Sequence, residues 1–391
     1  MNDFLNEAMN LFEYTRSLRR DFHCHPEIGF REVRTASVVA RELSALGLEV
    51  TKGIAETGVI ALLEGGRPGP VVMLRFDMDA LPITEETGAE YASEIPGVMH
   101  ACGHDAHTAV GLTVARMLHN YRDQLAGTIK FVFQPAEEGL GGAERMVKEG
   151  VLQNPTPAVA LGLHVWNEKP LGWVGIGSGP VMAAGEVFDI RISGKGGHGA
   201  IPQLAVDPVA AAAQVISALQ TIVSRNVAPL DTAVVSACSI HGGDAFNVIP
   251  PHVDIKGTIR TFKPETREMV IRRFYEIIDS VSAAMGCKAE REVHLMTPAV
   301  INDKAIAAKV LKAARELLPA ATIDTEDKTM GSEDMAYFLR EVPGCFFFVG
   351  SANAETGKNA PHHHPKFDID EDVLPKAAAL MASAAVECLN T

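Results

Sequence analysis

The sequence has no surplus of basic residues. Its 391 residues include 35 Lys and Arg against 49 Asp and Glu, which gives a formal net charge of −14 at pH 7. Nucleic acids and anionic membrane surfaces are bound through clustered Lys and Arg, so neither is expected as a partner. Hydrophobic residues still make up 47% of the chain, which is enough for a sizeable core and excludes a disordered protein.

Long uncharged runs and paired cysteines are also missing. A long stretch without charge, 208–224, contains Gln214, Ser217 and Gln220, which a membrane-spanning helix tolerates poorly. The six cysteines are widely separated and form no disulfide framework. The first twenty residues are acidic before they are basic, the reverse of a secretory signal. We therefore expect a cytoplasmic protein with reduced thiols and no membrane association.

Helical and strand-like patterns alternate through the first part of the chain. Strand-like runs separated by helical patterns lie at 58–63, 70–76, 128–133 and 158–165. This order is typical of βαβ units and a mostly parallel sheet. Residues 185–296 have instead the order β-α-β-β-α-β of a ferredoxin-like unit, and the α/β pattern resumes after them. The sequence therefore predicts an α/β domain made of 1–184 and 297–391, with an α+β domain, 185–296, inserted into it.

Residues of the types that bind metals stand where predicted strands end or a helix begins. They occur in five segments, at 74–79, 100–107, 134–139, 162–165 and 361–365. Ligands bind beyond the carboxyl ends of strands in open parallel sheets, so these segments are expected to converge. A thiolate, imidazoles and carboxylates around one cleft suit Zn²⁺ or Mn²⁺. Of the adjacent Glu137 and Glu138, one can bind metal while the other takes a proton from a water molecule.

Each segment also has an ordinary structural interpretation. A Glu-Glu pair usually lies on a solvated face, and a single cysteine such as Cys102 is more often a small buried apolar residue. Asp77 and Asp79 could cap a turn. The recurrence of such residues at five strand or helix ends favours a common site.

By these residues the chain resembles the aminoacylase family of metal-dependent amidohydrolases and peptidases. Within that family it is similar to the branch of hippurate hydrolases, N-acyl-amino-acid amidohydrolases and plant auxin-conjugate hydrolases. The resemblance covers nearly the whole chain, from the HCHPE motif at 23–27 to Phe367 and Asp368. Its motifs are RFDMDALP at 75–82, MHACGHDAH at 99–107, QPAEEG at 134–139, GKGGHGA at 194–200 and NVIP at 247–250.

The resemblance implies a di-metal hydrolase domain that binds two divalent ions per subunit, Zn, Mn or Co. The implied metal ligands are Cys102, His104, Glu138, His164 and His363, with Cys102 bridging or capping the pair of ions. His363 is chosen from three consecutive histidines because the branch has the pattern His-x-Pro. Glu137 is the implied general base, and Asp77 the residue that orients a ligand. Other branches have a histidine at the position of Arg75.

For the inserted domain the resemblance implies a lid and dimerisation domain, and hence a homodimer or homotetramer. His198 would contact the substrate carbonyl, in the partner subunit's site, and help to stabilise the oxyanion. Asn247 and Arg260 would hold the free carboxylate of the substrate. The structural alternatives are a helix cap for His198 and a strand-surface ion pair for Arg260.

The expected reaction is metal-dependent hydrolysis of the amide bond of N-acyl-L-amino acids, of the aminoacylase or hippurate hydrolase type. Alternatives within the same chemistry are a carboxypeptidase or dipeptidase and an N-acetyl-diaminopimelate deacetylase. An alternative of another class is a non-catalytic metal-binding protein. The presence of Glu137 beside a full set of ligand-type residues favours an enzyme.

Overall fold

The computed structural model describes residues 3–390 and divides them into two compact units. The first unit runs to Val181 and takes in Ile301–Lys328 and the chain from Asp334 onward. The second unit comprises Met182–Val300 and Thr329–Glu333. It contains the predicted inserted domain, 185–296, and also a short segment that the sequence analysis placed in the outer domain.

Helices and strands alternate along both units. Before the chain leaves the first unit, its elements are α1 (Phe4–Asn10), α2 (Phe12–Cys24), α3 (Val33–Ala45), β1 (Glu49–Ile54), β2 (Gly58–Glu64), β3 (Arg67–Asp77), α4 (His104–Asn120), β4 (Ala126–Gln134), α5 (Gly142–Lys148), β5 (Val159–Pro170), β6 (Trp173–Gly175) and β7 (Gly179–Met182). Those of the second unit are β8 (Ala184–Ser193), β9 (Gly197–His198), α6 (Pro208–Thr221), β10 (Ala233–His241), β11 (Val248–Ile249), β12 (His252–Thr261), α7 (Pro264–Ala284) and β13 (Lys288–Thr297). The chain then continues through β14 (Val300–Asn302), α8 (Lys304–Leu317), β15 (Thr322–Asp324), α9 (Met335–Glu341), β16 (Gly344–Ala352) and α10 (Val373–Leu389).

The first unit is built on an eight-stranded sheet in the order β1-β2-β4-β3-β5-β16-β6-β15. The four pairs β4–β3, β3–β5, β5–β16 and β6–β15 are parallel, and the other three are antiparallel. The middle strands are almost continuously apolar, as expected for parallel strands that helices cover. Helices α4 and α10 pack together and against β3, β4 and β5. The prediction of a mostly parallel sheet is confirmed.

The register of the middle strands brings the ends of β3 and β4 level with a residue in the middle of β5. Asp77, the last residue of β3, lies opposite Gln134, the last residue of β4. On the other side of β3, Arg75 lies opposite Gly162 of β5, so His164 is two residues further toward the same edge. Because parallel strands end at the same edge of a sheet, this register assembles the residues described below.

The second unit contains a four-stranded sheet in the order β10-β12-β8-β13, with every neighbouring pair antiparallel. Helices α6 and α7 pack on it around a core that includes Phe188 and Phe274. With β8 as the first strand, the spatial order is 4-1-3-2, as in ferredoxin-like units. The predicted fold class of the inserted domain is therefore confirmed. A separate short pair, β9–β11, carries the Gly-rich segment around His198.

Two observations bear on the expected compartment. No helix between residues 3 and 390 is long and apolar enough to cross a membrane. All six cysteines are free thiols.

Candidate active site

The turn after β4 carries the two adjacent glutamates. Ala136 has a left-handed backbone with φ of 57°, and its carbonyl accepts a hydrogen bond from the amide of Gly142 at 3.0 Å. The amide of Glu138 donates to Asp79 Oδ2 at 3.0 Å. Glu137 is only 9% exposed, and its Oε1 accepts from the amide of Asp334 at 3.3 Å. Both carboxylates are thus held on a turn whose backbone is bonded on each side.

Cys102 and His104 are placed by the glycine between them. Gly103 precedes the first residue of α4 and has φ of 90°, a conformation that favours glycine. A Cβ at Gly103 would lie 2.4 Å from Val165 Cγ2, so the chain also needs glycine here for close packing. The result is a sharp turn that directs the thiol and the first imidazole of the helix to the same place.

The predicted ligands form two groups that share one sulfur. The donor atoms of Cys102, His104 and His164 lie within 4.8 Å of one another, and so do those of Cys102, Glu138 and His363. His164 Nε2 is 3.5 Å from Cys102 Sγ, and His363 Nε2 is 3.3 Å from Glu138 Oε1. All five predicted ligands therefore lie together, with Cys102 common to both groups.

A third group of nearby donors links the glutamates to the first ligand group. It consists of His104, Glu137 and Glu138. Glu137 therefore lies beside a member of each ligand group.

Two of the three ligand imidazoles, those of His104 and His164, have one nitrogen held and the other available. His104 Nδ1 donates to the carbonyl of Asp79 at 2.9 Å, and its buried Nε2 has no hydrogen-bond partner among residues 3–390. His164 Nδ1 donates to the carbonyl of Val165 at 2.5 Å, which leaves Nε2 to face Cys102. A backbone carbonyl that fixes one ring nitrogen and leaves the other for a metal ion is the usual arrangement around protein-bound metals.

His363 is placed by its own backbone. It has φ of 64°, and its amide donates to the carbonyl of Ala101 at 2.8 Å, one residue before Cys102. The neighbouring His362 also approaches Cys102, with Nδ1 at 3.9 Å from Sγ, but its Nε2 accepts from the amide of Asn167 at 3.2 Å. Of these two histidines, His363 is the one whose donor atom groups with Cys102 and Glu138.

Asp77 lies between two donors. Its Oδ1 accepts from His107 Nδ1 at 2.6 Å and its Oδ2 accepts from Arg75 Nη1 at 2.8 Å. His107 Nε2 in turn accepts from the amide of Val165 at 2.9 Å, so both nitrogens of that ring are occupied. Oδ2 of Asp77 is 3.7 Å from His104 Nε2. Burial alone would raise the pKa of Asp77, but His104, Arg75 and His107 outweigh it and hold that pKa well below its ordinary value.

Arg75 occupies the position where other branches of the family have histidine. It is fully buried, and its guanidinium bonds Asp77, Gln134 Oε1 at 2.7 Å and Asp334 Oδ1 at 3.0 Å. Arg75 therefore links the ends of β3 and β4 through hydrogen bonds and does not serve as a metal ligand. The first ligand group already has two imidazoles without it, from His104 and His164.

The charges of the site favour bound cations. Hydrogen bonds to Cys102 and Glu138 raise the pKa of His363 to about 10. Burial would lower the pKa of His104, but the charges of Asp77 and Cys102 raise it well above its ordinary value. By contrast, burial lowers the pKa of His164 well below its ordinary value, so this imidazole is neutral, the form that binds metal. The donor set, the available Nε2 of His104 and the attraction for positive charge all fit two metal ions.

The predicted substrate residues lie in the second unit. His198 is exposed on β9, and its Nδ1 accepts from the amide of Ala200 at 3.0 Å. Asn247 is beside it, because its carbonyl accepts from the amide of Gly199 at 2.8 Å. Arg260 lies half-buried on β12, where burial lowers the pKa of its guanidinium. Its Nη1 donates to the carbonyl of Ile259 at 3.1 Å.

Within one chain, Arg260 is far from the other two substrate residues. It pairs with Gly185 at one end of β8, whereas Ser193 at the other end pairs with His252 and leads into the Gly-rich segment. The eight residue-to-residue steps from His252 to Arg260 span about 26 Å of extended strand. His198 and Asn247 come together, and Arg260 does not join them in the same unit.

The sequence analysis missed three supporting residues. Asp79 holds both His104 and the amide of Glu138, Glu32 holds the amide of Ala136 at 2.9 Å, and Asp334 holds Arg75 and Glu137. Asp79 lies inside the RFDMDALP motif, and its spacing of two residues from Asp77 could have indicated its supporting role. Glu32 and Asp334 lie outside the motifs.

Comparison with known proteins decides the family. Residues 73–387 match peptidase family M20/M25/M40. The chain belongs to this family.

Relatives within the family are similar to nearly the whole chain. N-acetylcysteine deacetylase of Bacillus subtilis is 40% identical over 96% of this chain and 97% of its own length. The IAA-amino acid hydrolase ILR1-like 4 of Arabidopsis thaliana is 40% identical over 98% of this chain and 88% of its own. Among solved structures, the YXEP protein of Bacillus subtilis, described as a dinuclear metal-binding peptidase, superimposes with a TM-score of 0.86 at 36% identity, over 98% of this chain and 99% of that one.

These findings confirm the resemblance seen in the sequence. Members of this family and the relatives named above are hydrolases, deacetylases or peptidases. The protein is a metal-dependent hydrolase of amide or peptide bonds, with two metal ions as its cofactor.

Proposed function

We propose that the protein hydrolyses N-acyl-L-amino acids to a carboxylate and a free amino acid. The observation that carries the proposal is the pair of ligand groups sharing Cys102, with Glu137 beside a member of each. The names of the relatives support the substrate class, since one is a deacetylase of N-acetylcysteine and another a hydrolase of an amino-acid conjugate.

We assign one ion to Cys102, His104 and His164 and the other to Cys102, Glu138 and His363. The mixture of sulfur, nitrogen and oxygen donors suits Zn²⁺, Mn²⁺ or Co²⁺. When bound, the ions polarise the amide carbonyl and make a water molecule more acidic. Asp77 and Asp79 keep the site anionic, and they hold His107 and His104 in fixed orientations.

Glu137 is the general base in this proposal. Its carboxylate takes a proton from the attacking water and later gives it to the leaving amine. It suits this task because it is nearly buried and one oxygen is held by the amide of Asp334, which fixes its direction. Glu138 cannot also act as the base while it serves as a ligand. In this proposal Glu137 is therefore the base and Glu138 the metal ligand.

The test of this assignment is Glu137→Gln. The change keeps the shape and removes the proton acceptor, so turnover of N-acetyl-amino acids should fall by about 10²–10⁴-fold. Metal content, measured by elemental analysis, should stay near that of the wild type. Near wild-type turnover in this variant would show that another group is the base.

We further propose a homodimer in which each site is completed by the partner. Arg260 lies about 26 Å along β12 from His252, which is at the end of the strand nearer to Asn247, so we propose that the Arg260 and Asn247 that hold one substrate carboxylate come from different copies. The edges of the sheet support pairing at β10, whose residues Ala233–His241 carry no Asp, Glu, Lys or Arg. The opposite edge, β13, alternates charged residues, which discourages association there. A homotetramer would need a second interface.

Mixing two inactive variants tests the exchange of residues between copies. If His198 acts in the partner's site, a mixed dimer of Glu137→Gln and His198→Ala has one site with neither change. Random subunit exchange should then restore about a quarter of wild-type activity, since half the dimers are mixed and each has one intact site. No recovery after verified exchange would place His198 in its own subunit's site.

A peptidase is the second candidate, because the structurally similar YXEP protein is described as one. A carboxypeptidase or dipeptidase would use the same base, ions and carboxylate contacts on a peptide bond. Rates on N-acetyl-amino acids, hippurate and dipeptides, compared with the Zn²⁺- and Mn²⁺-loaded enzyme, separate the two. A cytoplasmic location is part of the proposal and is supported by the six free thiols.

A further inference from the structure

The turn that carries Glu137 and Glu138 depends on an unusual backbone conformation. Ala136 has φ of 57°, a left-handed value that is strained for a residue with a Cβ. Ala136 is fully buried, and its Cβ packs on Gly29, where an added Cβ would lie 3.0 Å away. The conformation therefore has to be maintained by the surroundings of the turn.

Glu32 supplies a specific contact to this residue. Its Oε1 accepts from the amide of Ala136 at 2.9 Å, and its Oε2 accepts from Thr57 Oγ1 at 2.6 Å. The carboxyl group is completely buried at the start of α3, where its own desolvation is unfavourable. Because burying this carboxyl group is unfavourable, its hydrogen bond to the amide of Ala136 indicates that the position of that amide matters.

The atoms on the far side of the turn are bonded as well. The carbonyl of Ala136 accepts from the amide of Gly142, and the amide of Glu138 donates to Asp79. Without Glu32, the amide of Ala136 is the atom of this segment that would lose its partner. Rotation of the peptide before Ala136 would then redirect both glutamates that follow.

We propose that Glu32 is a positioning residue that holds Ala136 in its left-handed conformation and so aims Glu137 and Glu138. The inference rests on the proposed function, in which Glu137 is the base and Glu138 a ligand. The carboxylate of Glu32 bonds the amide of Ala136 and the hydroxyl of Thr57, so its effect on the two glutamates passes through the backbone of the turn.

The chain offers a matched control away from the site. Ala55 also has a left-handed backbone, with φ of 48°, and its amide donates to Glu149 Oε2 at 2.6 Å. Glu149→Ala therefore removes the same kind of bond, between a carboxylate and the amide of a left-handed alanine. Its link to the turn of Ala136 is indirect and runs through Thr57, whose amide donates to the carbonyl of Ala55 at 3.0 Å and whose hydroxyl donates to Glu32.

The experiment compares Glu32→Ala, Glu32→Gln and Glu149→Ala as metal-loaded enzymes. A misplacement of about 1 Å in a reacting group lowers kcat by about 10²-fold, so Glu32→Ala should lose about 10- to 100-fold in kcat with little change in KM. Competition with a chelator should show weaker binding of one of the two ions, because Glu138 is displaced. Glu32→Gln should restore both, since its amide oxygen can accept from Ala136 while its NH₂ donates to Thr57. Glu149→Ala should keep wild-type kcat and metal affinity.

Equal kcat and metal affinity in Glu32→Ala and Glu149→Ala, both measured on folded protein, would overturn the inference. If Glu32→Ala does not fold, Glu32→Asp replaces it. Its shorter side chain cannot reach Ala136 and Thr57 together, so an unchanged kcat there would equally refute the positioning role. Failure of the proposed function would appear separately, as retained turnover in Glu137→Gln.

Discussion

Replacing Asp77 by asparagine removes one charge from the active site while hardly changing its volume. The carboxylate of Asp77 lies between two donors, Arg75 Nη1 at 2.8 Å and His107 Nδ1 at 2.6 Å. The ring of His107 cannot reverse its polarity, because its Nε2 already accepts from the amide of Val165. An asparagine side chain has one acceptor oxygen, so in either orientation its NH₂ group faces a donor.

The expected cost follows from these contacts. One hydrogen bond to a charged group is lost, worth about 1.5–3 kcal/mol. The buried guanidinium of Arg75 also loses one of the carboxylates that neutralise it, and breaking a buried ion pair costs about 3–5 kcal/mol in all. Because Asp77 Oδ2 is 3.7 Å from His104 Nε2, the affinity for metal should fall as well, by about 10- to 100-fold.

Two measurements separate these effects. Urea unfolding of the metal-free protein gives the loss of free energy of unfolding, and competition with a chromophoric chelator gives the metal affinity. Asp254→Asn is the matched control, because Asp254 accepts two hydrogen bonds from Arg191, at 2.7 and 3.0 Å, and both side chains are partly exposed. It should cost at most about 1 kcal/mol and leave metal binding unchanged.

The reasoning fails if Asp77→Asn behaves like its control. A free energy of unfolding within about 0.5 kcal/mol of Asp254→Asn, the usual size of a surface effect, would mean that the buried contacts of Asp77 contribute little. Metal affinity within about twofold of the wild type, below the usual range for such residues, would mean that Asp77 does not support the ligands.

Three further predictions concern other parts of the first unit. Gly111→Ala places a Cβ 2.7 Å from the ring of Phe76, so urea unfolding should show a net loss of about 1–2 kcal/mol despite the better helix propensity of alanine. Burial raises the pKa of Glu32 from 4.5 to about 7, so between these pH values the folded protein keeps a proton that the unfolded chain releases. The contribution of Glu32 to the free energy of unfolding is therefore full below about pH 4.5 and falls by about 3 kcal/mol as the pH rises through 7. Unfolding of Glu32→Gln between about pH 5 and 8 should lack that decline, and an identical pH profile in both proteins would contradict it. Cys102→Ser should weaken the binding of both ions together, whereas loss of one ion alone on chelator titration would mean that the sulfur serves a single site.

The order of elements could be predicted because it depends on local patterns. Apolar runs and helical periodicity along the chain distinguish the βαβ segments from the β-α-β-β-α-β unit. The membership of Thr329–Glu333 in the second unit could not be predicted, since it depends on contacts with Ala183 and Met182 nearly 150 residues earlier. The antiparallel pairing of β6 with β16 could not be predicted either, since it also joins residues far apart in the sequence.

The ligand cluster could be predicted for a related reason. Ligand-type residues at the ends of parallel strands must meet at one edge of the sheet, and the motifs of the family added their roles. The residues that support them gave no such signal. Arg75 meets Asp334 across 259 positions and Glu32 meets Ala136 across 104, and a single carboxylate in a helix cap or loop reads as a surface residue.

The sulfur shared by the two ligand groups ties the enzyme to its redox surroundings. Oxidation of a cysteine thiol to sulfenic acid changes its donor character, and further oxidation is irreversible. At Cys102 that single chemical event would remove a ligand from both groups at once, whereas damage to any of the four other ligands affects one. Bound ions occupy the sulfur and shield it, so the loaded enzyme should resist peroxide better than the metal-free one. Under the proposed ligand assignment, metal supply and protection from oxidation would be one requirement.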